Sequence, residues 1–263
     1  MKKIVSLLLI AVMLTACVVL SSCGKQGKSL SDIKSAGKLV MATSPDFPPF
    51  EELVEGEVVG IEVDLLKLVC EKLGVELEIK QMSFESVLPG IQAGKYDVGV
   101  SGISVTEERK KNVLFTDAYC LAAQAIVVNE GSDIKSKADL EGKKVSVQTG
   151  TTAQEFCSAN GYEVNAYASN SDAQLALQTG KVDAWVIDDL TAAEMVAANN
   201  AGEGSKLVIL EDAMTAEPYA LAFALGSDDL VAEINKIINE LIADGTVKAL
   251  FDKYNAPYTS PKA

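Results

Sequence analysis

The stretch Asp97-Val98-Gly99-Val100-Ser101-Gly102-Ile103-Ser104-Val105-Thr106-Glu107-Glu108-Arg109 decides how this chain is read. Its first residues form a short apolar run, which predicts a buried strand. The charged residues 107–112 predict the start of a helix, with Ser104 and Glu107 spaced as a capping box. Hydroxyls, glycines and one arginine therefore fall where a strand ends and a helix begins. Such a junction exposes backbone N–H groups and attracts anions. A guanidinium a turn further on grips a carboxylate through two parallel hydrogen bonds. The stretch is read as a carboxylate-binding site, set against a plain capped helix with a solvated arginine.

Outward from it, the same grammar repeats. Residues 38–42 predict a first strand, which ends at Thr43-Ser44-Pro45-Asp46-Phe47-Pro48-Pro49-Phe50-Glu51. Three prolines in five residues there exclude a helix or a central strand, so a rigid loop presenting Phe47 and Phe50 is expected. Residues 62–73 predict a helix with Leu65, Leu66, Leu68, Val69 and Leu73 on one face, stopped by Gly74. A strand over 75–81, a helix over 84–93 and a strand over 97–100 complete a β-α-β-α-β run, the pattern of a layered α/β sheet. A second run follows: strands over 124–129, 144–148, 163–167, 182–187 and 207–210, with helices over 152–160, 171–179 and 189–199. One more apolar strand is expected over 219–224, then helices over 229–243 and 247–254. An internal echo links the halves. Gly90-Ile91-Gln92-Ala93-Gly94-Lys95-Tyr96-Asp97-Val98 and Ala176-Leu177-Gln178-Thr179-Gly180-Lys181-Val182-Asp183-Ala184 share a helix end, a Gly-Lys cap, an aspartate and a strand. Ligands of open α/β sheets sit at the strand ends that follow.

Composition narrows the chemistry. The 263 residues are 48% hydrophobic and 23% charged, with a net charge of −14, which argues against nucleic acid as a partner. There is no histidine, which removes histidine-dependent triads, histidine-ligated metals and the commonest general base. None of the five cysteines has metal-ligand spacing, so no metal and no cofactor is expected. Cys70 lies on an apolar helical pattern and reads as a buried thiol, while a Cys120–Cys157 pairing is left open.

The N-terminus reads as an address. Lys2 and Lys3 precede an apolar run over 4–14, the pattern of a secretory signal. Leu20-Ser21-Ser22-Cys23-Gly24 resembles a bacterial lipobox, in which the cysteine is lipidated and becomes the first mature residue. Leu14-Thr15-Ala16-Cys17 matches the same pattern, but Cys23 is preferred because a polar stretch follows it. Residues 1–22 are thus read as a lipoprotein signal peptide and 23–36 as a lipid-anchored tether. The protein is expected on the outer face of the cell membrane, or in a periplasm.

Taken in order, Thr43 to Glu51, Ser101 to Arg109, Phe115-Thr116-Asp117, Gly150-Thr151-Thr152 and Asp183-Ala184-Trp185-Val186-Ile187-Asp188 resemble the substrate-binding proteins of polar amino-acid ABC transporters. The resemblance implies an α/β, two-lobed, type II periplasmic-binding-protein fold. Each lobe would be a mostly parallel sheet flanked by helices, with two hinge crossovers near 123–127 and 219–223. Lobe one would span 37–124 and return over 221–263; lobe two would span 125–220. The resemblance also implies a site. Arg109 would hold a ligand carboxylate, assisted by Ser101, Gly102 and Ser104 and by the Thr152 N–H at a helix start. Asp188 would hold the ammonium. Phe47 and Phe84 would sandwich the ligand side chain, in a pocket with Ser44 and Gln148 and with Tyr219 as a further candidate. A zwitterion leaving water needs both charges paired, so it becomes the bridge that holds the lobes closed.

Position 44 is serine where several relatives specific for basic or amide side chains have aspartate, and no acid stands out for a cationic ligand. A neutral polar amino acid is expected, unless Asp46 or Glu217 points inward. A monomer is expected to deliver it to a membrane permease with an ATPase behind it. Two other functions compete: a surface receptor that senses the amino acid without transport, and a dehydratase-type enzyme on the same fold. The enzyme would need a glutamate, aspartate, lysine or tyrosine as its acid.

Overall fold

A computed structural model describes residues 27–211 and 215–261. The expected signal peptide, residues 1–22, and Cys23 lie outside the described residues. Residues 30–36, expected as the end of a tether, are helical. Ser29 and Asp32 form a reciprocal capping box that starts α1 (Leu30–Ala36). Ile33 of this helix is fully buried, so it belongs to the first lobe.

The first lobe continues with β1 (Lys38–Thr43), β2 (Asp46–Phe47), β3 (Glu51–Val54), β4 (Glu57–Val59), α2 (Ile61–Leu73), β5 (Glu76–Gln81), α3 (Phe84–Gln92), β6 (Val98–Gly99), β7 (Val113–Phe115) and β8 (Cys120–Ala122). The second lobe comprises β9 (Gln124–Asn129), β10 (Lys144–Gln148), α4 (Thr152–Ala159), β11 (Glu163–Tyr167), α5 (Asn170–Gln178), β12 (Ala184–Asp188), α6 (Asp189–Ala201) and β13 (Leu207–Ile209). The chain then returns through β14 (Glu217–Tyr219), β15 (Ala222–Ala224), α7 (Asp228–Ala243) and α8 (Thr246–Lys253). Both last helices pack on α2, in the first lobe.

The two main sheets have one plan. Their strand orders are β5-β1-β6-β15-β7 and β11-β10-β12-β9-β13. The first three strands of each are parallel, and the fourth is antiparallel to both neighbours. Each sheet is therefore mixed, with four of its five strands running the same way and one reversed. The reversed strand, β15 or β9, is the first one laid down after the chain crosses from the other lobe. The crossing itself is a two-stranded antiparallel ribbon of β8 and β14, with Cys120 opposite Tyr219. It falls earlier than expected at 123–127, because all of β9 is already paired in the second sheet. The apolar run expected as one strand over 219–224 is split at Ala220 and Leu221, where the chain changes sheet.

The internal echo has a structural cause. Asp97 accepts the Val40 N–H at 2.9 Å and returns its own N–H to the Val40 carbonyl at 2.9 Å. Asp183 makes the same pair with Lys144, at 2.8 Å both ways. Each aspartate locks a helix-to-strand junction onto the neighbouring strand.

Three local expectations are corrected. No α-helix follows Glu107: Ser104 is drawn into a bridge with Tyr219, the Val105 N–H bonds the Pro218 carbonyl, and only a 3-10 turn, Arg109–Lys111, forms before β7. The proline-rich loop contains a strand, because β2 pairs with β3 and β3 with β4 in a small antiparallel sheet whose proline pair sits at the turn. Phe50 is fully buried against Phe47, Tyr219 and Phe251 rather than presented. Cys70, Cys120 and Cys157 are all buried free thiols, so Cys120 and Cys157 do not pair.

Candidate functional site

The strand ends of both sheets face a common cleft, which leaves a partly open cavity of about 300 Å³. Its wall carries Asp46, Phe47, Phe84, Ser101, Gly102, Ser104 and Arg109 from the first lobe, and Gln148, Thr151, Thr152 and Asp188 from the second. Nine of the ten residues expected at the site are in this wall. The tenth, Ser44, is buried behind it and donates its hydroxyl hydrogen to Asp46 Oδ1 at 2.9 Å. Tyr219 is fully buried behind the wall, where it donates its hydroxyl hydrogen to Asp188, bridges Ser104 and packs its ring near Phe47. Glu217 is outside the wall and accepts from the Thr215 hydroxyl at 2.8 Å.

Arg109 is positioned by its own turn and by the opposite lobe. Its Nη1 donates to the Ser104 carbonyl at 2.9 Å, and its Nη2 crosses the cleft to the Gly150 carbonyl at 3.1 Å. The guanidinium carbon lies 5.8 Å from the centre of the Phe84 ring, within cation–π range. Burial lowers its pKa from the ordinary arginine value, opposed by the field of Glu155, Glu217 and Asp188. It has five N–H donors, so donors remain for a carboxylate in the cavity.

Asp188 closes β12 and stands at the N-cap position of α6, but its carboxylate makes no capping bond. It accepts the Tyr219 hydroxyl hydrogen instead. Asp189 does the local work, accepting the N–H groups of Ala123 and Leu190 at 3.1 and 2.8 Å. Burial among protein atoms raises the Asp188 pKa to about 7, against the lowering effect of the Tyr219 bond and Arg109. No lysine or arginine among the described residues forms an ion pair with this carboxylate.

The α4 helix opens onto the cavity. Thr151 caps it by accepting the Gln154 N–H at 3.2 Å. Thr152 is the first helical residue, so its N–H has no intrahelical acceptor. Its Oγ1 accepts from Gln124 Nε2 at 3.0 Å, which leaves the Thr152 hydroxyl hydrogen to point elsewhere.

Two expected ligand donors are spent inside the protein. The Gly102 N–H donates to Glu62 Oε2 at 2.8 Å, and the Ser101 hydroxyl donates to Glu51 Oε1 at 2.8 Å. Both residues line the cavity, yet neither offers it those groups. Gly102 serves by being bare: its φ is +54°, and a Cβ there would lie 2.4 Å from Phe47 Cε1. The Phe47 ring therefore packs directly on the loop backbone.

The far end of the cavity is polar. Asp46 Oδ2 accepts the Asn170 N–H at 2.8 Å and Gln148 Nε2 at 3.1 Å, both from the second lobe. Asn170 Nδ2 bonds Gln148 Oε1 at 3.1 Å. Burial raises the Asp46 pKa, although Asn170, Ser44 and Gln148 all favour its ionised form. Asn170 was not singled out from the sequence. Its signal is the Ser169–Asp172 capping spacing, which marks the start of α5 where the structure places Asp46.

Two lobes joined by a paired hinge, with a cleft whose walls carry one cation, Arg109, and two carboxylates, Asp46 and Asp188, define a clamshell solute receptor. The chain belongs to the bacterial extracellular solute-binding proteins, family 3, which it matches over residues 39–257. It is similar to the arginine-binding extracellular protein ArtP of Bacillus subtilis (strain 168), 32% identical over 253 residues, covering 94% of this chain and 96% of ArtP. Among solved structures it is similar to arginine-bound, truncated ArgBP from T. maritima, with a TM-score of 0.76, 42% identity, and 80% of this chain and 99% of that one covered. It is also similar to an ancestral arginine-binding protein bound to glutamine, with a TM-score of 0.78, 41% identity, and 84% and 99% covered.

Proposed function

We propose that this protein captures a free α-amino acid between its lobes and delivers it to an ABC importer. The observation that carries the reading is the placement of Arg109 and Asp188 on opposite lobes of one cavity of about 300 Å³. Arg109 takes the ligand carboxylate, joined by the Thr152 N–H. Asp188 takes the ammonium. Each charge of the zwitterion then meets a buried partner of opposite sign, and closure gains by the ligand's higher affinity for the closed state. Phe47 and Phe84 flank the ligand's carbon chain.

Asp46, Gln148 and Asn170 meet the ligand side chain, which we read as polar and neutral, because the Asp46 oxygens already accept from Ser44, Gln148 and Asn170. A cationic side chain is the second reading. It is supported by the presence of Asp46 in the wall and by relatives named for arginine. Attachment to the membrane through a lipid on Cys23 completes the proposal. A monomer docking on a permease is its working form.

Calorimetric titration with glutamine, arginine and their N-acetyl and amide derivatives tests it. Free amino acids are expected to bind and both blocked forms to fail. Equal binding of blocked and free forms would overturn the zwitterion reading. A preference for arginine over glutamine would select the cationic reading. Cell fractionation of Cys23→Ala, expected in the soluble fraction, tests the anchor.

A further inference from the structure

Beneath the Ser101–Gly102 wall lie two glutamates that do not line the cavity. Glu51 on β3 and Glu62 in the first turn of α2 are both fully buried. Their carboxyl groups hold adjacent loop residues, Glu51 accepting the Ser101 hydroxyl hydrogen and Glu62 the Gly102 N–H, each at 2.8 Å, and burial together with Glu62 raises the Glu51 pKa. No lysine or arginine among the described residues forms an ion pair with either. Two ionised carboxylates offer only acceptors, so two of them cannot share a dry contact unless one carries a proton.

The donors say which one. Glu62 Oε1 accepts the Tyr119 hydroxyl hydrogen, and Glu62 Oε2 accepts the Gly102 N–H at 2.8 Å. It also sits at the positive end of α2. Glu51 receives a single donor, the Ser101 hydroxyl on Oε1, and its Oε2 is buried with no hydrogen-bond partner from the protein. A proton on that oxygen turns it into the donor that Glu62 needs. Asp46 adds a further negative field from β2.

We propose that Glu51 and Glu62 form a proton-sharing pair, with the proton on Glu51 and the charge on Glu62, that positions the ligand-facing Ser101–Gly102 loop and ties it through Tyr119 to the hinge. Tyr119 leads straight into β8, and its N–H bonds the Tyr219 carbonyl at 3.0 Å across the crossing. The pair therefore holds together the cleft floor, the start of α2 and the entry to the hinge. Both are positioning residues, and their effect on affinity rests on the ligand reading above.

Infrared spectroscopy of the ligand-free protein at pH 9, with carboxyl-13C glutamate labelling, tests the proton directly. At that pH Asp188 is ionised, and the label separates glutamate from Asp46. A protonated glutamate C=O band is expected in the wild type and in Tyr119→Phe, and its absence is expected in Glu51→Gln. No labelled band in the wild type, or a band that survives in Glu51→Gln, would overturn the proposal whatever the ligand is. In binding, Glu51→Gln keeps a donor toward Glu62 and an acceptor for Ser101, so its affinity should stay within about threefold of wild type. Glu62→Gln turns one acceptor into a donor facing Gly102 or Tyr119, and its affinity should fall at least about tenfold. Equal losses in the two variants contradict the assignment. If Glu62→Gln does not fold, the infrared comparison of wild type with Glu51→Gln still decides.

Discussion

Asp46 in the first lobe accepts the backbone N–H of Asn170, the first residue of α5 in the second lobe, at 2.8 Å. A carboxylate at a helix N-terminus is favoured by the helix dipole and by an N–H that has no partner within the helix. Here that contact spans the cleft, and Gln148 Nε2 reinforces it at 3.1 Å. The lobes therefore hold one another through protein groups as well as through whatever fills the cavity.

Asp46→Asn should loosen this latch. The charge-assisted acceptor becomes neutral and one oxygen becomes a donor that faces donors. Ligand dissociation should quicken about tenfold, with association little changed, because most affinity differences within one interface lie in the off-rate. Stopped-flow fluorescence measures both rates. An unchanged off-rate would remove Asp46 from the closing contacts.

Arg109→Lys keeps the charge but loses the planar fork and the stack on Phe84. Affinity should fall by about 2–4 kcal/mol, roughly 30-fold to 1000-fold, as for truncation of a buried charge partner. Calorimetry on the folded variant checks it, and a loss below threefold would place the ligand carboxylate elsewhere.

Asp188 makes binding depend on pH. Its pKa is raised to about 7 in the ligand-free protein, and the ammonium of a bound ligand favours its ionised form. Binding near pH 7 should therefore release a proton, seen as a dependence of the binding heat on buffer ionisation. Affinity should weaken as pH falls below about 7. The stability of the ligand-free protein runs the opposite way. The folded pKa lies above the unfolded value of about 3.9, so the stabilising contribution is full below pH 4 and is lost as pH rises through 7. Asp188→Asn should raise the melting temperature at pH 8 more than at pH 4, and should flatten the affinity profile. A proton-neutral binding heat at pH 7 would contradict the pairing.

Gly102→Ala tests the packing of Phe47. The new methyl meets Phe47 Cε1 at 2.4 Å on a backbone with φ of +54°. Strain of about 1–3 kcal/mol is expected, together with weaker binding because the ring must move. Gly37→Ala is the control for conformation alone, since its φ is +69° and no atom lies within 4 Å of its added Cβ.

The layered α/β plan was legible because each element carried its own punctuation. Ile61, Leu65, Leu66, Val69 and Leu73 are buried at helical spacing, and Gly74 ends α2 in a left-handed turn. The Asp97 and Asp183 echo marked equivalent junctions in the two lobes. Arg109 and Asp188 could be picked out as wall residues too, since a lone arginine and a strand-ending aspartate have few other uses in an apolar setting, whereas Asp46 was named only as an exception. Backbone direction was not. Nothing in Ser101-Gly102 says that its N–H points back to Glu62, and the capping spacing of Ser104 and Glu107 was overridden by pairing with Pro218 and Tyr219. The prolines at 45, 48 and 49 hid β2, because proline is compatible with the ends of an edge strand. The α1 helix was hidden by its polar composition, although Ser29, Asp32 and the buried Ile33 spell out its cap and its contact. Asn170 was invisible for a different reason: its partner, Asp46, is 124 residues away.

The central claim is that one zwitterion bridges Arg109 and Asp188. A thermal-shift screen of residues 25–263 against the twenty amino acids, ornithine and cystine tests it most directly, run in parallel on Arg109→Ala. A ligand at about 100 times its dissociation constant stabilises the folded state by roughly 2.7 kcal/mol, a plain rise in melting temperature. The account predicts that one or a few α-amino acids shift the wild type and that none shifts Arg109→Ala. No shift with any of them, or an equal shift in the variant, would contradict it.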